Sequence, residues 1–593
     1  MLLELQKLTQ CRNKSDLAHL LELDIAFINR TLYEVPINLR YKIIEIPKKN
    51  SEKKRKIYVP DGYLKVLQKR LANILTRIFE YLKKDKPKTS FAYRKDNGND
   101  KYGIYQNACK HIHKKVVLNL DIKDYFESIN FSRIVGFFIK NKYFLLKKEV
   151  AIIIAQIACY NENGKTFLPQ GSPLSPVISN FIGEIIDSKI SKLKSKYKFS
   201  YSRYADDITL SFTYKNISEN IFTINEGQVF IGSSLKESIE SSGFKINDKK
   251  TRVHFDDNRQ TVTGLTVNNK VNINKDYYKN TKAMGLSYCM YKDFYKSKNH
   301  VFDDKKLGVN SLIGIFNYIF YIKNMENARK LDDIPNIQIS NKNRTLDPCE
   351  YLFEMNSFKR IFLKVLFHKS FVHHERINIL CEGKTDPSHL KKYLGERIKN
   401  YNVFAFKESE PSYFSKSLHI QGGTGSLARF VRVYDDLYHS KIGMNLPTII
   451  LVDNDKAGDD VFTAGSKKYS KTYKLLSDDK SSIKCAYVCN NLYIIQIPAT
   501  CLIESKDIKC IEDMYETHIV NTKIGGKTLC KSNNPKDFVK GKHYTKDTFV
   551  KEIINKTNPI NYNNFDFLFE MIEMIHYLNM LKNFLNLFRF NRK

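Results

Sequence analysis

The stretch YSRYADDITLSF, residues 201–212, sets two adjacent carboxylates, Asp206 and Asp207, between apolar and β-prone residues. Its rhythm predicts a β-hairpin with the acid pair at the turn. Asp favours turns because its side chain bonds its own backbone, and two acids on a turn equally suit a divalent cation. The flanking chain decides between these readings.

Upstream, Val116 to Leu120 reads as an apolar strand ending on Asp121. A strand-end Asp beside a hairpin acid pair can hold two Mg²⁺ ions, one activating an attacking hydroxyl and one neutralising a leaving pyrophosphate. That is the chemistry of nucleotidyl transfer. Between the two acidic points lies LPQGSPLSP, residues 168–176, a turn dense in Gly and Pro, followed by a helical pattern that starts near Ser175 and Pro176. Nearer the N-terminus, the basic run PKKNSEKKRK (47–56) feeds a helix with a clear apolar stripe and suits phosphate contact.

The chain has 593 residues, which predicts three to four folding units, and Lys plus Arg exceed Asp plus Glu by 34. Residues 1–370 carry 26 of that excess. A field of this size favours a polyphosphate partner. Eleven cysteines occur without a CxxC pair, which predicts reduced thiols and neither a disulfide framework nor a zinc site. No run is apolar enough to cross a bilayer, so a cytoplasmic protein with no membrane partner is expected.

The order LNLDIKDYF, LPQGSPLSP, YADD and GFKINDKKT resembles motifs A to D of reverse transcriptases, and RKIYVP with its following helix resembles their fingers. NAxxH at Asn107 and His111, and the triplet Val262-Thr263-Gly264, resemble features of retron reverse transcriptases. The resemblance implies Asp121, Asp206 and Asp207 as catalytic metal ligands for a two-Mg²⁺ site. It implies Phe126 as a steric gate against ribose, with Gln170, Arg55 and the motif D lysine around the incoming deoxynucleoside triphosphate. That lysine is Lys250 by position, although Lys249 stands beside it. Asn107, His111, Val262, Thr263 and Gly264 are implied to contact the cognate non-coding RNA.

From Glu375 the pattern changes. RINILCEGKTDPSHL reads as a strand, Ile377 to Cys381, with an acid at its end, a turn and a helix; TIILVDNDKAGDD repeats this and sets Asp453 and Asp455 on one face by strand periodicity. QGGTGSL between them reads as a Gly-rich turn. Strands ending on acids and separated by helices predict an α/β layer with a parallel sheet. This segment resembles a Toprim domain of the nuclease-associated branch. The resemblance implies Glu382, Asp453 and Asp455 as Mg²⁺ or Mn²⁺ ligands acting on a nucleic-acid target; Glu512 in CIEDMY can supply a further acid, and by chemistry alone Glu382 or Lys384 can assist proton transfer or steady the phosphate.

The expected architecture is an α+β right-hand polymerase with fingers and palm (1–270) and helical thumb (271–370), then an α/β Toprim domain with a parallel sheet (371–525) and a C-terminal helical extension (526–593). The expected function is that of a retron reverse transcriptase. It would copy its RNA into branched msDNA from an RNA 2′-hydroxyl, with the Toprim part as effector in antiphage defence. A group II intron maturase or other bacterial reverse transcriptase is one alternative, and a nucleic-acid-binding scaffold with a non-catalytic Toprim module is another. The last segment can dock on the preceding domain or form a homo-oligomer.

Overall fold

The computed structural model describes residues 3–590 except 48–53, 97–100, 295, 299–300, 304–306, 333–351, 353–354, 407–411, 421, 443–444, 478–482, 501–503, 505, 533–534 and 558. Most of the basic run at 47–56, and the polar stretch at 339–348 that reads as a loop, therefore lie outside the described residues. The chain forms two compact units, Met1–Asn274 with Phe320–Pro335, and Lys275–Ile319 with Asn336–Lys593.

In the first unit, β1 (Tyr41–Pro47) pairs antiparallel with β2 (Lys54–Pro60). Asp61 caps α1 (Gly62–Lys83), which buries Leu67, Leu71, Leu75 and Ile78, one stripe at helical spacing. A short helix, α2 (Ile104–Cys109), precedes β3 (Val116–Asp121). Ser175 and Pro176 open α3 (Ser175–Tyr197), where proline's missing N–H costs no helical bond. The predicted hairpin is β4 (Ser200–Tyr204) with β5 (Asp207–Phe212). With β6 (Arg252–Phe255) these strands make an antiparallel sheet in the order β6-β3-β5-β4. Val116, Val117, Leu118, Ile208 and Leu210 are fully buried in it. Each such side chain contributes roughly 1.5–3 kcal/mol of burial, so the acidic edge rests on a rigid base. A last hairpin joins β7 (Thr261–Val262) to β8 (Leu265–Thr266).

The second unit does not follow the predicted boundaries. The expected thumb supplies helices, namely α4 (Lys275–Tyr291), α5 (Val309–Asp332) and α6 (Ser357–Phe367). Most of this segment belongs to the same compact unit as the α/β sheet that follows, and α5 is divided between the units. The packing explains why no boundary falls at 370: Phe316 stacks on Phe362 at 5.1 Å, and Phe367 and Phe371 continue from α6 into the core beneath the sheet.

That sheet is built from β9 (Ile377–Cys381), α7 (Asp386–Leu394), β10 (Tyr401–Ala405), α8 (Gly423–Leu437), β11 (Thr448–Val452), α9 (Lys456–Lys468), β12 (Lys474–Leu475), β13 (Cys485–Cys489) and β14 (Leu492–Gln496). The strand order is β10-β9-β11-β14-β13-β12. The first four are parallel, as expected, and β13 and β12 close one side antiparallel. QGGTGSL is a turn only at Gly422 and Gly423, where α8 already begins. The C-terminal helix α10 (Asn563–Phe590) places Phe565, Leu568, Phe569, Ile572 and Ile575 in the core of this unit. It thus docks on the chain's own α/β layer. Among the described residues no helix is long and apolar enough to cross a membrane, and the nine described cysteines are unbridged.

Candidate active sites

In the first unit, β3 and β5 lie in antiparallel register with Asp121 opposite Asp207. The turn between β4 and β5 is Ala205-Asp206, with Ala205 held at φ 57°. The Asp206 carbonyl accepts from the Ile122 N–H at 3.1 Å. Two strand ends and one tight turn thereby bring three carboxylates to one edge.

The charges there oppose each other. Asp207 reaches solvent, yet the surrounding protein and then Asp206 and Asp121 push it up to about 6. Asp206 is raised by burial and by Asp121, and eased by Lys250 and Arg55. Among the described residues, no three acid, His or Cys side chains are gathered into a ready metal cage. Instead, Asp121 is held by Lys250 Nζ at 2.9 Å and Asn247 Nδ2 at 2.9 Å. Hard oxygen donors, short of countercharge, are the donor set that Mg²⁺ takes, so the three acids fit the ion pair implied for them. Lys249 is exposed and makes no such contact among the described residues, so of the two lysines it is Lys250 that reaches Asp121.

Arg203, two residues before the turn, is fully buried and grips Asp187 of α3 with Nε to Oδ1 at 2.8 Å and Nη2 to Oδ2 at 2.9 Å. Its Nη1 donates to the Ala205 carbonyl and the Tyr125 hydroxyl, both at 3.2 Å. The turn that presents Asp206 is therefore bolted to a helix and to the segment after β3. Gly183 makes room, since a Cβ there would lie 2.5 Å from the Arg203 guanidinium carbon. The sequence reading missed both, because the strand around Arg203, SYSRY, alternates polar and aromatic residues and gives no local sign that the guanidinium is buried.

Of the implied nucleotide contacts, Arg55 is exposed on β2, and its charge is felt by Asp206 and by Tyr93. Phe126 packs edge-on against Tyr125 at 5.5 Å and Tyr93 at 6.4 Å. Tyr93, also missed, holds φ 59° and is pushed up to about 12 by burial and then by Asp206. The Gln170 carbonyl accepts from the Tyr58 N–H at 2.7 Å. Gly171, at φ 112°, lets that approach happen, because a Cβ would lie 2.7 Å from the Tyr58 carbonyl oxygen.

The residues implied to contact RNA differ in burial. His111 is fully buried, with each ring nitrogen 2.7 Å from a serine hydroxyl, Nδ1 from Ser211 and Nε2 from Ser202. It pins the segment after α2 to the β4–β5 hairpin. Asn107 and Val262 are buried as well. Thr263 at φ 47° and Gly264 at φ 82° form the tight turn between β7 and β8, and of this group only Gly264 is exposed.

In the second unit, Glu382 follows β9 and Asp453 follows β11, adjacent parallel strands, at their C-terminal edge. Glu382 Oε2 accepts from the Asp453 N–H at 3.2 Å. Burial and the neighbouring acids push Glu382 up to about 7, and push Asp453 up to about 9 through burial, Asp386 and Glu382. Asp455 departs from the expected strand face. β11 ends at Val452, and Asp455 caps α9, accepting from the Gly458 N–H at 2.8 Å; its charge still reaches Glu382. Glu512 is fully buried, 3.1 Å from Lys546 Nζ and 3.9 Å from His389 Nε2. Lys384 is exposed and paired with Asp547 at 2.7 Å.

Two members of this cluster went unread. Asp386, raised to about 6 by burial and then Glu512, stands openly in EGKTD. Lys546 comes from the C-terminal extension, and nothing in the sequence links it to the acids. The buried carboxylates outnumber that one lysine, and the Glu512 oxygens lack hydrogen bonds. A hard divalent cation fits this donor set as well.

Residues 46–285 match the family described as reverse transcriptase (RNA-dependent DNA polymerase). The chain is similar to the Retron Ec86 reverse transcriptase of Escherichia coli, 27% identical over 55% of this chain and 89% of that protein. It is similar to the Retron Mx162 reverse transcriptase of Myxococcus xanthus, 30% identical over 40% of this chain and 48% of that protein. The Retron Mx65 reverse transcriptase of Myxococcus xanthus is 25% identical over 46% of this chain and 62% of that protein. Family match and acid geometry together support RNA-directed DNA polymerase activity in the first unit.

Proposed function

We propose that the chain is a retron-type reverse transcriptase joined to a Toprim-like nuclease. The observation that carries the polymerase half is the register of Asp121 opposite Asp207, with Asp206 at the adjoining turn. In this reading Arg203 fixes the turn, Lys250 balances charge at Asp121, and Arg55 binds the triphosphate of a deoxynucleotide. Gln170 lies beside that nucleotide, and Phe126 excludes a ribose 2′-hydroxyl by filling its space. Bound Mg²⁺ at Asp121, Asp206 and Asp207 would acidify the primer hydroxyl and neutralise pyrophosphate, and Mg²⁺ or Mn²⁺ at Glu382, Asp453 and Asp455 would polarise a phosphodiester.

Similarity to retron reverse transcriptases supports the finer reading, in which the template is a cognate structured RNA primed from its own 2′-hydroxyl and the product is branched msDNA. The acids at the parallel edge of the second unit support a nuclease effector, and an antiphage role follows for a polymerase product that restrains it. A group II intron maturase would share the first site and give no account of the second.

Purified protein, a primed RNA template, Mg²⁺ and deoxynucleotides test the first claim. Extension is expected, with Asp206→Asn reducing it ~10²-fold or more; extension equal in wild type and variant would sink it. Glu382→Ala is expected to abolish toxicity in cells while leaving extension intact, and loss of both activities together counts against separable sites.

A further inference from the structure

Tyr515 and His389 together fix a hydrogen position inside the second unit. His389 stands on α7 three residues after Asp386, which sets both side chains on one face of the helix. Its ring is fully buried, and Nδ1 lies 3.0 Å from the Tyr515 hydroxyl. That tyrosine is fully buried too, and no other acceptor lies within hydrogen-bond distance of its hydroxyl among the described residues. A buried hydroxyl gives its hydrogen to an acceptor, so Nδ1 accepts and the ring hydrogen sits on Nε2.

Nε2 has a carboxylate before it. Glu512 Oε1 is 3.9 Å away, Glu512 is fully buried, and neither Nε2 nor Oε1 has a hydrogen-bond partner elsewhere among the described residues. On its other oxygen Glu512 faces Lys546 Nζ at 3.1 Å. The rings of Tyr515 and Phe549 flank the imidazole at 5.5 and 6.1 Å and keep it from turning aside. At 3.9 Å the approach is longer than a finished hydrogen bond, and contacts of this kind commonly tighten when a ligand is taken up.

Glu512 belongs to the acidic cluster by its field. Asp386 is raised by burial and then by the Glu512 charge, which reaches Asp453 as well. A neutral N–H on Oε1 fixes the orientation of the carboxylate and adds no positive charge, so the excess of negative charge that draws a divalent cation is kept. Acidic metal ligands are commonly oriented by a hydrogen bond from behind. We propose that His389 is a positioning residue for Glu512: its Nε2–H holds Oε1, so that the carboxylate stays turned toward the other acids and the divalent cation they take. The proposal rests on the reading of this cluster as a metal-dependent nuclease site.

Mn²⁺ binding by the full chain tests this, read from the loss of the free ion's electron paramagnetic resonance signal. Every sample carries Asp206→Asn with Asp207→Asn, which removes the hairpin acids of the first unit, and Glu382→Ala marks the binding that belongs to the second. His389→Met fills the space without an N–H and is expected to weaken that binding about tenfold or more. His389→Asn, which can meet Tyr515 but not Glu512, should match it. His389→Gln carries an amide N–H to the position of Nε2 and should stay within about threefold of the parent. In a Glu512→Gln background the Met exchange should add nothing. Thermal midpoints identify the variants that fold. Equal weakening by Met and Gln, or binding indifferent to both Met and Asn, overturns the proposal and leaves the nuclease reading standing. A folded Gln variant that has lost the binding overturns it alone. Absence of any Glu382-dependent Mn²⁺ binding overturns the proposal and the reading together.

Discussion

Arg203 and Asp187 meet in a two-pronged ion pair with no solvent access at the guanidinium, and the same guanidinium holds the carbonyl of the residue before Asp206. Breaking a buried pair by removing one partner costs about 3–5 kcal/mol. Arg203→Met and Asp187→Asn are each expected to lower the denaturant midpoint of the first unit, and to lower kcat for extension more than they raise KM for the nucleotide, because the turn loses its anchor. Gly183→Ala should act in the same direction through the 2.5 Å clash. A normal kcat in a well-folded Arg203→Met protein would show that the turn does not need the bolt.

Lys250 and Lys249 are neighbours with unequal surroundings. Lys250→Ala is expected to reduce primer extension by about 10²-fold, the scale for losing one preorganised charge at a reacting phosphate. Lys249→Ala should stay within twofold of wild type. Single-nucleotide incorporation rates of the two variants compare them directly.

His111 gives the first unit a pH dependence of known sign. Burial holds its ring neutral down to about 3, far below the ordinary 6.5. Below pH 6.5 the unfolded chain gains a proton there that the folded chain refuses, so stability is full above 6.5 and falls as pH drops toward 3. The loss amounts to about 2 kcal/mol at pH 5. His111→Gln is expected to be less stable at pH 7 and to lose less between pH 7 and pH 5, as measured by urea unfolding at both values.

Lys546 and Glu512 form the buried pair of the second cluster, 3.1 Å apart. Lys546→Met should destabilise that unit by about 3–5 kcal/mol, since Glu512 is then stranded without countercharge. The double variant Lys546→Met with Glu512→Gln is expected to recover most of the loss. A double-mutant cycle on thermal midpoints measures the coupling, and strictly additive losses would deny it.

The polymerase edge was legible because its chemistry is local. Asp121 closes an apolar strand, Asp206 and Asp207 sit on a hairpin turn, and both patterns follow from periodicity over a few residues. The parallel sheet was legible for the same reason. Arg203, Tyr93 and Lys546 were not, because each acquires its role only from elements distant in sequence. For His111 and Val262 the resemblance implied an RNA partner, and that both side chains are buried is visible only in the tertiary packing. Asp455 failed for a third reason, since period-two counting stops being valid one residue after the strand does.

The position of Lys546 in the chain has a consequence for the order of synthesis. Units tend to fold as they emerge from the ribosome, N-terminal first, so the three acids around Asp207 are complete long before residue 546 has been added. The acids around Glu512 acquire their lysine only when the stretch preceding α10 has been made. A nascent or prematurely released chain thus carries the three carboxylates of the first unit already assembled while the buried Glu512 of the second still lacks its countercharge.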